Sequence, residues 1–305
     1  MDSKIGGVKY MDTKMGIILL MFRSIPDFIQ VCLILGLILM IPTPPTAVAE
    51  ETRDLLPDSE VARGSGMIMA AWLGQPVRRY AHGVLGDRIE AGTLYARLAN
   101  GRVIGHRLDS RSVFEDLTVR LADLNGNGQD ELVVVQSNLE RGSALAVLGL
   151  RAGRLQAIAR TPWIGTPNRW LNPAGIADYN GDGVMEIALV RTPHIGGTLQ
   201  FWQLAGGELI AKGEQYGFSN HRIGSRIQDL SATLDWNGDG IVDLLLPEVG
   251  RRSLAVVTLS GGTARVLTTL AVAAEVRGPL TLDAGRRTVQ VPLENGETVT
   301  VGPDL

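Results

Sequence analysis

The sequence predicts an all-β fold, and three observations carry that prediction. Glycine is abundant, with 37 residues, while aromatics make up only 5% of the chain; this balance favours a turn-rich fold over a helical bundle. Three nine-residue loops rich in Asp, Asn and Gly begin at Asp123, Asp178 and Asp235, which are 55 and 57 positions apart. A period of that size marks a repeat architecture. Each loop runs directly into an apolar stretch, 132–135, 187–190 and 244–246, of the kind that forms a buried strand.

The first fifty residues stand apart. Positions 29–41 form an apolar run followed by Pro42, Pro44 and Pro45, then by Ala47-Val48-Ala49. Small residues at Ala47 and Ala49 fit signal-peptidase cleavage, so 1–49 reads as a signal peptide and 50–62 as a linker. The alternative is an uncleaved anchor through 15–41, although the apolar core is shorter than the roughly 20 residues that span a bilayer. The unusually long basic region leaves Met15 and Met21 as alternative starts. The expected location is periplasmic or secreted, with membrane attachment only if the leader stays. Cys32 is the single cysteine. Cleavage after Ala49 would leave a mature chain with none, so disulfides could not stabilise it in an oxidising compartment.

Removing the leader's four basic and three acidic residues from totals of 29 and 32 leaves 25 and 29. A small negative charge with no dense Lys/Arg stripe excludes nucleic acid as the expected partner. Four histidines and one cysteine are a poor supply for zinc or iron–sulfur sites.

From residue 63 onward a second repeat is visible. A Ser or Thr opens an alternating strand, a Gly-containing turn follows, and a second strand returns. This occurs at 93–108, 143–159, 198–212, 253–267 and 288–301. Short turns of this type join antiparallel strands. Five hairpins, three with an acidic loop upstream, suggest about five four-stranded sheets over 63–305. Stacking such sheets around an axis hides faces that a lone sheet cannot bury and leaves only short edges. The expected fold is therefore a β-propeller of about five four-stranded blades, with helices almost absent.

The acidic loops read as Ca²⁺ sites. In the second, Asp178, Asn180 and Asp182 alternate, the carbonyl of Val184 joins them, and Glu186 closes the set. In the third the donors are Asp235, Asn237, Asp239, the Ile241 carbonyl and Asp243. In the first they are Asp123, Asn125, Asn127, the Gln129 carbonyl and Glu131, with one charge fewer and a weaker expected affinity. Hard oxygens in this number are what Ca²⁺ prefers. The intervening glycines permit the positive φ that such winding needs. An EF-hand would need a bidentate Glu at the twelfth position and flanking helices, but here the twelfth positions are Val134, Leu189 and Leu246. The bland alternative is a polar turn that binds no ion.

A closing acid at the ninth position followed at once by a strand resembles the FG-GAP/VCBS repeat of integrin α N-terminal-like propellers. The resemblance is carried by the three loops and covers about 114–270. It implies a calcium-binding β-propeller in which the ions stiffen blade loops, so that a nearby face can bind a partner.

Other polar residues concentrate in the connections between sheets. His82, Arg169, Trp170, His194, His221 and Arg222 are candidates for one ligand pocket near the axis, and Trp163 with Trp170 for a sugar-stacking platform. The ordinary alternative is that they cap strand ends. No nucleophile elbow, His-Glu-Xaa-Xaa-His motif or phosphate loop is present, so no catalytic residue is assigned. The expected function is a binding or scaffold module for protein or carbohydrate, stabilised by Ca²⁺. The alternative is a carbohydrate-active lyase or hydrolase that uses the axial pocket.

Overall fold

Every apolar run after an acidic loop alternates its side chains between two cores, and this alternation organises the molecule. The computed structural model describes residues 54–305. The expected signal peptide, with residues 50–53 of the expected linker, lies outside the described residues. Of the rest of that linker, 54–56 runs beside a strand: Leu56 N–H donates to Leu73 O, Gln75 N–H donates to Asp54 O, and Leu56 is 1% exposed.

All regular elements among the described residues are strands, grouped into five antiparallel meanders. The first contains β1 (Ala62–Arg63), β2 (Ile68–Val77), β3 (Glu90–Leu98) and β4 (Val103–Arg107). A short β5 (Ser112–Phe114) bridges it to the second meander by pairing with both β3 and β7. The second contains β6 (Arg120–Ala122), β7 (Glu131–Asn138), β8 (Gly142–Arg151) and β9 (Arg154–Arg160). The third contains β10 (Leu171–Ala177), β11 (Glu186–Arg191), β12 (Thr198–Ala205) and β13 (Glu208–Tyr216). The fourth contains β14 (Ala232–Leu234), β15 (Asp243–Pro247), β16 (Ser253–Ser260) and β17 (Thr263–Ala271). The fifth has three strands, β18 (Thr281–Asp283), β19 (Thr288–Pro292) and β20 (Thr298–Val301). The five sequence-predicted hairpins are β3–β4, β8–β9, β12–β13, β16–β17 and β19–β20. Among the described residues no helix is long and apolar enough to cross a membrane.

Successive side chains of a strand point to opposite faces. In β7, Leu132 and Val134 join a core shared with the first meander, through Leu73 and Leu94. Val133 and Val135 join Leu171, Ile187 and Leu189 of the third. In β11, Ala188 and Val190 pack with Leu244 and Leu246 of the fourth. Leu245 in turn packs with Val289 and Val291 of the fifth. Each interior sheet is thus buried on both faces, which is why its central strand is a continuous apolar run rather than an alternating one.

Strand direction also sorts the connections. Within a meander, the first-to-second and third-to-fourth links lie at one end and the second-to-third link at the other. The acidic loops are first-to-second links, so they sit at the end opposite the β7–β8, β11–β12 and β15–β16 turns.

Candidate functional site: acidic loops and an inter-sheet cavity

The three acidic loops share one construction. Glycines at the fourth and sixth positions take positive φ: 71° and 80° at Gly126 and Gly128, 74° and 84° at Gly181 and Gly183, 79° and 87° at Gly238 and Gly240. This winding turns backbone N–H groups inward onto the first Asp. Asp123 accepts from Asn127 and Gly128. Asp178 accepts from Gly181, Asp182 and Gly183. Asp235 accepts from Gly238 and Gly240.

The closing acid opens the following strand and is buried: Glu131 is 3% exposed, Glu186 0% and Asp243 1%. One oxygen of each accepts the N–H of the loop's second residue, Leu124, Tyr179 or Trp236, at 3.0, 2.9 and 3.1 Å. Burial pushes all three carboxyls above the ordinary range, against the opposing pull of those N–H groups.

The loops differ in what meets the second oxygen. Asn125 Nδ2 reaches Glu131 at 2.8 Å, and Asn180 Nδ2 reaches Glu186 at 2.7 Å and Asp182 at 3.1 Å. Gln203 Nε2 also contacts Asp182 and Glu186, and Lys212 Nζ lies 3.9 Å from Asp182. Asp243 is one methylene shorter. Its Oδ1 is buried with no hydrogen-bond partner, while Asn237 Nδ2 turns to Asp239 instead. The loops offer hard oxygens of the kind Ca²⁺ prefers, but among the described residues no three or more Asp, Glu, His or Cys side chains are grouped closely enough to hold a metal ion. Positive charge reaches the second loop from Lys212 and the third from Arg287, which donates to the Asp235 and Trp236 carbonyls. The Gln129, Val184 and Ile241 N–H groups bond to Asn127, Asp182 and Asp239.

A second constellation lies in the connections between sheets. The β2–β3 link, 78–89, is much longer than its counterparts and reaches the link between the third and fourth meanders. There Gly224 N–H donates to Val84 O, and Arg226 pairs with Asp58 and Asp87, each at 2.8 Å. This segment delivers Tyr80 and His82. His82 Nδ1 lies 2.8 Å from Oε1 of Glu115, which is wholly buried and also bonded to Ser137. Trp170 Nε1 donates to the Glu115 carbonyl at 3.0 Å. Trp170 in turn packs face to face with His194 and edge-on to His221.

The histidine tautomers follow from the bonding. The Ser225 carbonyl can only accept, so His221 Nε2 donates to it at 3.0 Å. His221 Nδ1 then accepts from His194 Nε2 at 2.9 Å, leaving His194 Nδ1 an acceptor. Burial holds both rings neutral, lowering His194 to about 4 and His221 to about 3.

His82, Arg169, Trp170 and His194 line one cavity of about 300 Å³, together with Ile195 and Ile223. His221 supports that wall from behind. Arg222 lines a different cavity with Arg277, and both guanidinium groups face Glu294, at 3.7 and 3.2 Å. Trp163 lies under the guanidinium groups of Arg141 and Arg160.

Sequence reasoning missed the buried polar network behind this cavity. Glu90, Glu115, Asp116, Asn172, Asn220 and Gln228 are all buried. Asp116 pairs with Arg120 at 2.8 Å and accepts from Gln228, which also reaches Asn172. The adjacent acids at 115 and 116 immediately after a short strand were the available signal.

A family model described as an FG-GAP-like repeat matches residues 117–189. That stretch holds the first two acidic loops. No curated protein matches the chain. Among solved structures, the crystal structure of Saccharomyces cerevisiae Sqt1 is similar at 10% identity and a TM-score of 0.48, over 82% of this chain and 61% of that one. The chain therefore spans less than two thirds of Sqt1's length.

Proposed function

We propose that the chain is an exported β-propeller, stapled by Ca²⁺ at its three acidic loops, that works as a binding module for a protein or carbohydrate partner in the periplasm or outside the cell. One observation carries this reading. Three loops in three consecutive sheets each end on a buried closing carboxylate, one oxygen of which accepts the N–H of the loop's second residue. Buried charge without a compensating partner is costly, and a bound cation would relieve that cost. The holders would be Asp123, Asn125, Asn127 and Glu131; Asp178, Asn180, Asp182 and Glu186; and Asp235, Asn237, Asp239 and Asp243, with the carbonyls of Gln129, Val184 and Ile241. The ion would supply positive charge and tie each loop to the strand that follows. The cavity suits binding, since the polar groups of His82, Arg169 and His194 combine with an apolar lining of Trp170, Ile195 and Ile223.

The third loop should bind most tightly, since Asp243 holds an unpartnered buried oxygen; the Arg287 guanidinium there donates to the Asp235 and Trp236 carbonyls, whereas Lys212 faces the Asp182 carboxylate in the second. A ligand bound only by the folded form at about 100 times its Kd adds ~2.7 kcal/mol of stability. Thermal melts in EDTA should therefore fall several degrees below melts in calcium, and Asp239→Ala should remove the largest part of the difference. Superimposable melts with and without calcium would end this reading.

A further inference from the structure

We infer that the cavity beside Trp170 is the partner site of this binding module, and that it takes the carboxylate end of an N-acylated apolar amino acid: a free N-acyl amino acid or the C-terminus of a chain. The inference rests on the binding-module reading and adds the chemistry of the ligand.

Three features converge on that chemistry. Arg169 supplies the cation. The one bond its guanidinium makes among the described residues is to the neighbouring Asn168 carbonyl, at 3.2 Å, so most of its planar fork is available to a carboxylate, which it matches in two-point geometry. His82 lines the same cavity, and the contact of its Nδ1 with Glu115 fixes the ring.

The second feature is an acceptor. The Ser225–His221–His194 chain of bonds leaves His194 Nδ1 as a lone pair on a ring that lines the cavity. A carboxylate alone offers no donor for it, whereas the amide N–H next to a chain-terminal carboxylate does. The third feature is the apolar wall. Ile195 and Ile223 are 59% and 64% exposed at the rim, and Trp170 forms the floor. A volume of about 300 Å³ holds one acylated residue with an aliphatic side chain.

The test is calorimetric titration of the calcium-loaded full chain with N-acetylleucine, N-acetylleucinamide and acetate. N-acetylleucine is expected to bind at least about tenfold more tightly than either of the others, because the amide lacks the charge and acetate lacks the N–H and the aliphatic group. Arg169→Gln should lose at least about tenfold for N-acetylleucine and nothing for the amide. A pentapeptide ending in leucine separates the two sources: binding as tight as N-acetylleucine assigns chain ends, and no binding assigns the free acyl amino acid. Equal affinity for acid and amide, or no binding of N-acetylleucine by protein whose melt still responds to calcium, overturns the inference and leaves the calcium reading standing. Insensitivity of the melt to EDTA with N-acetylleucine still bound does the reverse.

Discussion

Glu90 is the residue whose ionisation is most at odds with its surroundings. Burial, then the charges of Glu115, Asp87 and Asp116, push its carboxyl up to about 10. Burial raises Glu115 as well, against the pull of His82 and Ser137. A group whose folded pKa is raised holds its proton in the native state and loses it on unfolding, so its contribution fades as pH rises above about 4.5. The depressed His194 and His221 act in the opposite sense. The unfolded chain takes up protons there below about 6.5, so stability falls as pH drops toward 4 and 3. These groups predict a broad stability maximum between pH ~4.5 and ~6.5. Glu90→Gln should flatten the alkaline limb while leaving the acid limb in place, as read from thermal melts between pH 4 and 9. The contrast with the acidic loops explains what could be read beforehand. Asp178, Asn180, Asp182 and Glu186 announce themselves by spacing within one loop. Glu90, Glu115, Gln228 and Asn172 meet only through folding across more than a hundred residues of chain, and no local pattern marks them.

At the scale of elements, hairpins and central strands were legible because both depend on neighbours in sequence. The turn glycines and the apolar runs at 132–135, 187–190 and 244–246 fix strand identity locally. The β2–β3 link was not legible, because nothing in 78–89 signals that it crosses to Gly224 and Arg226. Close approaches between turns were equally hidden. Gly197 has no positive φ to explain it; its reason is that a Cβ there would overlap the Phe218 carbonyl and press on Val190. Gly197 O meanwhile accepts the Phe218 N–H at 3.1 Å, locking the β11–β12 turn against the outgoing link. Gly197→Ala should therefore destabilise the protein by about 1–3 kcal/mol, as overpacking does. Chemical denaturation would show this as a lower midpoint at unchanged m-value, and an unchanged midpoint would mean that the turn can yield.

At the scale of the whole molecule, five meanders share four cores, and each interior sheet contributes to two of them. Damage to one interior sheet therefore reaches both neighbours, and unfolding is expected to be cooperative rather than sheet by sheet. The cavity shares this dependence. His82 arrives from the first meander, Arg169 and Trp170 from the link between the second and third, His194 from the third, and Ile223 from the link to the fourth. No fragment of the chain contains the whole set in place. Occupancy of so distributed a pocket is thermodynamically tied to the global transition, so a ligand there would slow amide hydrogen exchange in the most protected strands of all five meanders, including β7 and β15, which never touch it.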